Sequence, residues 1–316
     1  MKFYVDCDTG IDDALALAYL AANRQTVELL GIGSVCGNIS AEEGARNSAN
    51  LLSLFGINDT PVAKGSSDYL YKKYECLVAH IHGKNGIGDV SVEHSKSEIV
   101  PLSAAELLVS LAHKHPKEMN VLAIGPLTNL AIALDIEPEL PNLLRSLTIM
   151  GGAAMAPGNV TPVAEANIAG DPDAAEKVIR HYKNITLVPL DLTMSQTFEE
   201  SDIKKLIDSS SVSSQTLGKM LLKYVDFYQN IYGRKCAALH DPVAAMIAVE
   251  GANNCRTLHC DITVDCTEGP GKGQTICDTR NIYSPSNNMD KTKPKVILGS
   301  EAVFSKPLLD MLLSLP

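Results

Sequence analysis

Lysine and arginine fall short of aspartate and glutamate, 27 against 37, which leaves the 316-residue chain with a formal net charge of −10. Nucleic acid and anionic membrane surfaces need a basic face, so neither is expected as a partner. No run of ~18 apolar residues is present, which excludes an ordinary membrane-spanning helix. The start, MKFYVDCD, enters strand-like sequence without the apolar core of a secretion signal, and a cytoplasmic protein is expected. None of the eight cysteines forms a CxxC pair, and most lie in apolar surroundings, as expected of thiols in a reducing compartment. Repeats and low-complexity linkers are also absent. Tryptophan is missing altogether.

Short apolar runs alternate with helical patterns over most of the length. FYVD (3–6), LLGIGSV (29–35), NVLAI (120–124), SLTIM (146–150) and ITLVPL (185–190) read as buried strands. Ser40 with Glu43 and Ser103 with Glu106 fit capping boxes, while Asp171-Pro172 and Asp241-Pro242 fit an Asp cap followed by Pro. This alternation predicts an α/β fold: an open, mostly parallel, Rossmann-like sheet flanked by helices. Beyond about residue 254, TLHCDITVDC, EGPGKG and QTICDT read as a small C-terminal β-hairpin, followed by a strand at KVILG and a helix at about 305–315. We expect residues 1–316 to form one domain. In such a sheet, sites form beyond the carboxyl ends of the strands.

The stretch VDCDTGIDDA (5–14) puts Asp6, Asp8, Asp12 and Asp13 where the first strand meets a helix. Capping accounts for Asp12 at the N-cap and Asp13 in the first turn. It leaves Asp6 and Asp8 at the buried end of a strand, where unpaired charge is costly and like charges raise each other's pKa. A hard divalent cation removes both problems, and the all-oxygen ligand set favours Ca²⁺ or Mg²⁺ over zinc. Haloacid-dehalogenase-type phosphatases also open on a strand and Asp-x-Asp. Their hydroxyl residue comes two positions after the second Asp, where this chain has Gly10.

VDCDTGIDDA is followed in order by GNIS (37–40), HGKNGIG (82–88), IGPLTNLA (124–131), MGGA (150–153), GNVTPVAEANIAGDPDAA (158–175), PLDLT (189–193) and LHDPVAA (239–245). Together these blocks resemble the nucleoside hydrolases, the inosine/uridine-preferring nucleoside N-ribohydrolases. The resemblance implies hydrolysis of the N-glycosidic bond of a small-molecule nucleoside, with Ca²⁺ held by Asp8, Asp13, the Ile124 carbonyl and Asp241. Asp8 would also be the general base, with Asp6 supporting the metal loop. Asp12 and Asn38 would meet the 2′-hydroxyl, Asn167 the 3′-hydroxyl side, and Asn159 and Glu165 the 5′-hydroxyl. The chemistry of the residues agrees: an oxocarbenium-like ribosyl group is stabilised by nearby negative charge, and a sugar with three hydroxyls needs several fixed polar partners.

By the same resemblance His240 would assist the departing base, while His82 begins the glycine-rich HGKNGIGD, read as a mobile flap over the sugar. Tyr224, Tyr228 and Tyr232 share a helix face at i, i+4, i+8, and the resemblance puts Tyr228 or Tyr232 against the base. Without tryptophan the chain lacks the indole stacking of some purine-specific relatives, which leans the expectation toward pyrimidine or broad preference. Relatives assemble as homodimers or homotetramers, and the same is expected here. The competing expectations are a non-catalytic calcium-dependent nucleoside- or ribose-binding protein and the phosphatase.

Overall fold

A computed structural model describes residues 1–76, 78–95, 98–280, 290 and 292–316. The first half contains β1 (Lys2–Cys7), α1 (Ile11–Ala22), β2 (Glu28–Ser34), α2 (Ala41–Leu54), β3 (Val62–Lys64), α3 (Ala79–His82), α4 (Ala104–Lys114), β4 (Met119–Ala123), α5 (Thr128–Ile136), α6 (Leu140–Leu143) and β5 (Ser146–Met150). There follow α7 (Ala166–Gly170), α8 (Pro172–His181), β6 (Ile185–Val188), α9 (Leu190–Thr193), β7 (Thr197–Glu199), α10 (Glu200–Ile207), α11 (Val212–Tyr232), β8 (Cys236–Ala238) and α12 (Asp241–Glu250). The chain closes with β9 (Cys255–His259), β10 (Ile262–Val264), β11 (Thr275–Cys277), β12 (Lys295–Ser300) and α13 (Ser305–Leu312).

The main sheet has the order β3-β2-β1-β4-β5-β6-β12-β9, parallel throughout except for the antiparallel edge strand β9. The expected α/β class is therefore found. The order reverses between β1 and β4, and a crevice opens there beyond the strand ends. Asp8 follows β1 and Ile124 follows β4, so both lie at that crevice. Strands β1, β4 and β5 are apolar on both faces because helices cover both. On one face α1, α2 and α11 to α13 pack around Phe3, Val5, Leu15 and Leu221; on the other, α4, α5 and α8 pack around Tyr4, Val121, Leu130 and Val178.

Two helix starts differ from the sequence expectation. Helix α1 is capped by Gly10, not Asp12, because the Asp13 carboxylate reaches back to accept from Gly10 N at 2.7 Å. A Cβ at Gly10 would lie 2.5 Å from His82 Nδ1, so only glycine fits there. Helix α12 is capped by His240, which moves Asp241 inside the first turn with Pro242 behind it. The Asp171 and Ser103 caps form as expected. Strand β6 stops at Val188 because Pro189 has no N–H to continue the ladder. In the C-terminal element only β10 and β11 form the hairpin, while β9 joins the main sheet. Among the described residues no helix is long and apolar enough to cross a membrane.

Candidate active site

Helices α1 and α12 run side by side, and Tyr19 of one donates to Glu250 Oε1 of the other at 2.6 Å near their carboxyl ends. Both amino ends therefore point into the crevice, α1 with Asp12 and Asp13 in its first turn and α12 with Asp241. One oxygen from each of these three buried carboxylates lies within 4.8 Å of the others. Asp8 stands beside them, and its backbone N–H donates to Asp13 Oδ1 at 3.2 Å. Asp8 is held by Asn38, whose backbone N–H reaches one oxygen at 2.7 Å and whose side-chain amide reaches the other at 3.2 Å. That clamp needs Gly37, where a Cβ would come within 2.0 Å of the Asp8 carboxylate.

Helix N-termini favour negative charge, but by about 1 kcal/mol each, which cannot offset burying four carboxylates together. Burial and mutual repulsion accordingly push Asp12 up to about 7, and burial pushes Asp13 up to about 6. Burial, reinforced by their neighbours' charges, drives Asp8 and Asp241 well above the usual carboxylate range. One oxygen of Asp12 is buried with no hydrogen-bond partner. An unsatisfied carboxylate oxygen among converging carboxylates fits a hard cation, so the cluster could hold a metal ion. Asp6 sits behind this loop. Asn129 Nδ2 donates to both its oxygens, at 3.1 and 3.2 Å, and Tyr4 donates from 3.3 Å. Burial pushes it up to about 7. Thr9 takes a positive φ of +20°, and its hydroxyl is tied to Ser48 at 2.8 Å.

The cleft above the carboxylates is lined by Asp12, Asn38, Asn159, Glu165, Asn167 and Asp241, and by Ile124 and Met150. Asn167 Nδ2 bridges the Ile124 and Met150 carbonyls, each at 3.1 Å. The Glu165 carboxylate accepts from Gly152, Asn167 and Ile168 N–H groups, fixing the turn that starts α7. The exposed Asn159 accepts from Ala166 N at 3.0 Å. A roomier cleft beside β3, lined by Glu42, Arg46, Lys64 and Ser103, contains no buried titratable group. The buried titratable groups line the smaller cleft.

Apolar side chains, Val78, Ile81, Val160, Met194, Phe227 and Ile231, also line the cleft. His240 is buried there, its Nδ1 2.8 Å from Thr193 Oγ1 and its Nε2 2.6 Å from the Tyr228 hydroxyl. Burial lowers His240 to about 4, so the ring is neutral at pH 7. Burial and the neighbouring His240 lower His82 to about 3. His82 Nδ1 accepts from Ile11 N at 3.1 Å, so its proton sits on Nε2.

Of the two tyrosines expected against the base, Tyr228 lines the cleft and Tyr232 does not. One turn further along α11, its hydroxyl donates to the Met194 carbonyl at 2.7 Å. Tyr224, Phe227 and Ile231 take the lining positions instead. Only Tyr224 and Phe227 carried a sequence signal, as part of the aromatic stripe. The expected flap after His82 is a tied turn: Asn85 Oδ1 accepts from Ile87 and Asp89 N–H, and Asp89 Oδ1 from Lys84 N–H.

Residues 3–300 match the family described as "Inosine-uridine preferring nucleoside hydrolase". The chain belongs to that family. It is 36% identical to Uridine nucleosidase 1 of Arabidopsis thaliana over 78% of this chain and 74% of that one. It is 31% identical to the inosine-uridine preferring nucleoside hydrolase of Crithidia fasciculata, over 89% and 88% of the two chains. A purine-preferring ribonucleoside hydrolase from Gardnerella vaginalis superposes with a TM-score of 0.88 at 33% identity, covering 99% of this chain and 97% of that one. The protein is therefore an enzyme, a nucleoside N-ribohydrolase, and the phosphatase and binding-only alternatives fall away.

Proposed function

We propose that this nucleoside hydrolase is calcium-dependent and broad in base preference with a lean toward pyrimidines, uridine among its substrates. The observation that carries the metal is the unpartnered Asp12 oxygen among buried carboxylates at the floor of a cleft lined by amides. An all-oxygen set from Asp8, Asp13, Asp241 and the Ile124 carbonyl suits calcium, which accepts irregular geometry. When bound, calcium would acidify and orient a water and hold the ribose 2′- and 3′-hydroxyls.

Asp8, oriented by both Asn38 donors, takes the proton of the attacking water. Asp12 and Asn38 fix the 2′-hydroxyl, Asn167 the 3′-hydroxyl side, and Asn159 and Glu165 the 5′-hydroxyl. Asp6 keeps the Asp8 loop in place through Asn129. As the glycosidic bond breaks, positive charge on the ribosyl ring is stabilised by the surrounding carboxylates. Water adds to the anomeric carbon, the base leaves, and free ribose results. A histidine neutral at pH 7 holds no spare proton, so His240 and Tyr228 pass their shared hydrogen-bond proton to the leaving base, and the proton that Asp8 took from the water restores it through solvent. His82 holds the amino end of α1 and borders the base.

The apolar side chains Val78, Ile81, Met194, Phe227 and Ile231 support broad base preference, since apolar contact separates bases weakly. The uridine nucleosidase likeness supports the pyrimidine lean. Eight free thiols suit the reducing cytoplasm, and residues 1–316 are proposed to work as one domain within a homodimer or homotetramer. The test is incubation with uridine and inosine. Base and reducing sugar should appear without phosphate, stop with a chelator and resume with calcium. Release that requires phosphate, or that ignores chelation, overturns the proposal.

A further inference from the structure

The chain between β5 and α7 carries Asn159 and leads into Glu165, and past the buried Ala153 it turns outward. Met155 is 58% exposed, and Ala154 and Ala156 are half-buried. The side chain that fixes this part of the loop is Asp191, in the four-residue helix α9 beyond the neighbouring strand. Its carboxylate accepts three successive backbone N–H groups, from Ala154 at 2.8 Å, Met155 at 2.8 Å and Ala156 at 3.2 Å. Leu190 N donates to the Gly152 carbonyl at 3.0 Å, so helix and loop are tied from both sides. On its inner side the same loop is held by Glu165 through Gly152 N–H. Two carboxylates thus grip one stretch of backbone, and only one of them lines the cleft.

We infer that Asp191 is a positioning residue for recognition of the sugar's 5′ end. Without its three acceptor contacts the 154–156 stretch loses its outer anchor, and Asn159, three residues on, keeps its bonds to Ala164 and Ala166 but loses the support on the β5 side. The inference rests on the proposed 5′-hydroxyl role of Asn159 and Glu165. A carboxylate that merely stabilised the fold would affect all substrates alike. A positioning carboxylate matters only when the substrate has the group being positioned.

The experiment compares uridine with 5′-deoxyuridine in the wild-type enzyme and in Asp191→Ala, Asp191→Asn and Asn159→Ala. A displacement of about 1 Å can cost about 10²-fold, so Asp191→Ala should lower kcat/KM for uridine by up to that factor, mostly through KM. The value for 5′-deoxyuridine should change little. Asp191→Asn keeps one acceptor oxygen and should fall between wild type and alanine. Equal losses on both substrates, or unchanged discrimination in both Asp191 variants while Asn159→Ala loses it, overturn the inference alone. A wild-type enzyme that does not distinguish the two substrates overturns the 5′-hydroxyl reading and the inference with it.

Discussion

The pH dependence of metal binding is worked through most directly from the carboxylate cluster. Asp12 and Asp13 stand at about 7 and about 6 in the folded protein, against 3.8 ordinarily. Their raised values mean that the folded chain without metal holds protons that the unfolded chain has lost. That contribution to stability is full below about pH 4 and disappears as pH rises through 6 and 7. A cation takes the place of those protons, so the stability it adds must grow over the same range. Each displaced proton is worth about 1.4 kcal/mol per pH unit. With an unfolding entropy of ~2.1 cal/mol/K per residue, 316 residues give about 0.7 kcal/mol/K. One proton then corresponds to about 2 °C per pH unit, and two protons to about 4 °C. The Tm increment on adding calcium should therefore grow by roughly 6 °C between pH 5 and pH 7. Asp8 and Asp241, also raised by burial and their neighbours' charges, act in the same sense. The lowered values of His82 and His240 have the opposite sign, because stability they remove at low pH returns as pH rises. They affect the chelated and calcium-loaded protein alike and cancel in the difference. Differential scanning calorimetry from pH 5 to pH 8, with chelator and with excess calcium, measures the increment. An increment independent of pH, or absent at pH 7.5, refutes the cluster as the ion's site.

Replacing Asp8 by the nearly isosteric Asn should lower kcat by 10²-fold or more while leaving the far-ultraviolet circular dichroism unchanged; near-normal turnover removes Asp8 as the base. His240→Ala and Tyr228→Phe should cost far more on uridine than on a 4-nitrophenyl riboside, whose leaving group needs no proton. Equal losses on the two substrates argue against a leaving-group role. Gly37→Ala would force a methyl group to within 2.0 Å of the Asp8 carboxylate, so it should abolish turnover and the calcium-dependent Tm increment together. Retention of either, measured by the same assays, would show that the Asn38 clamp is dispensable.

Strands were legible in the sequence where burial on both faces made the apolar run continuous, and SLTIM matches β5 residue for residue. The acidic stretch and the Asp241 block were legible because their residue types are costly to bury without a reason. Less visible were groups whose partners lie far along the chain. Nothing near Asp6 announces that Asn129 will donate to both of its oxygens. Asp191 lay inside the PLDLT block with no role of its own, because its three partners are backbone groups about 35 positions earlier. The aromatic stripe identified a face of α11 but not its level: one helical turn separates Tyr228 at the cleft from Tyr232 beneath Met194. Three-residue strands such as β10 and β11 carry too little alternation to fix which segment pairs with which.

Helix α9 connects the two proposed sides of the cleft. Asp191 holds the loop of the proposed sugar side, and two residues later Thr193 holds His240 Nδ1 on the proposed base side. Met194, next in line, lines the cleft and accepts from Tyr232 at its carbonyl. All three follow directly from Pro189, which ends β6 and turns the chain over the crevice. Sugar and leaving base must be held in one geometry while the bond between them breaks, so their supports cannot shift independently. Mounting both on one rigid turn, itself fixed to the central sheet, ties those positions together. The metal loop has the same kind of anchorage from β1, through Asp6 and Asn129. Errors in the relative placement of water, ribose and base are then limited by the stiffness of adjacent parallel strands, not by that of the long loops that carry the cleft's outer wall.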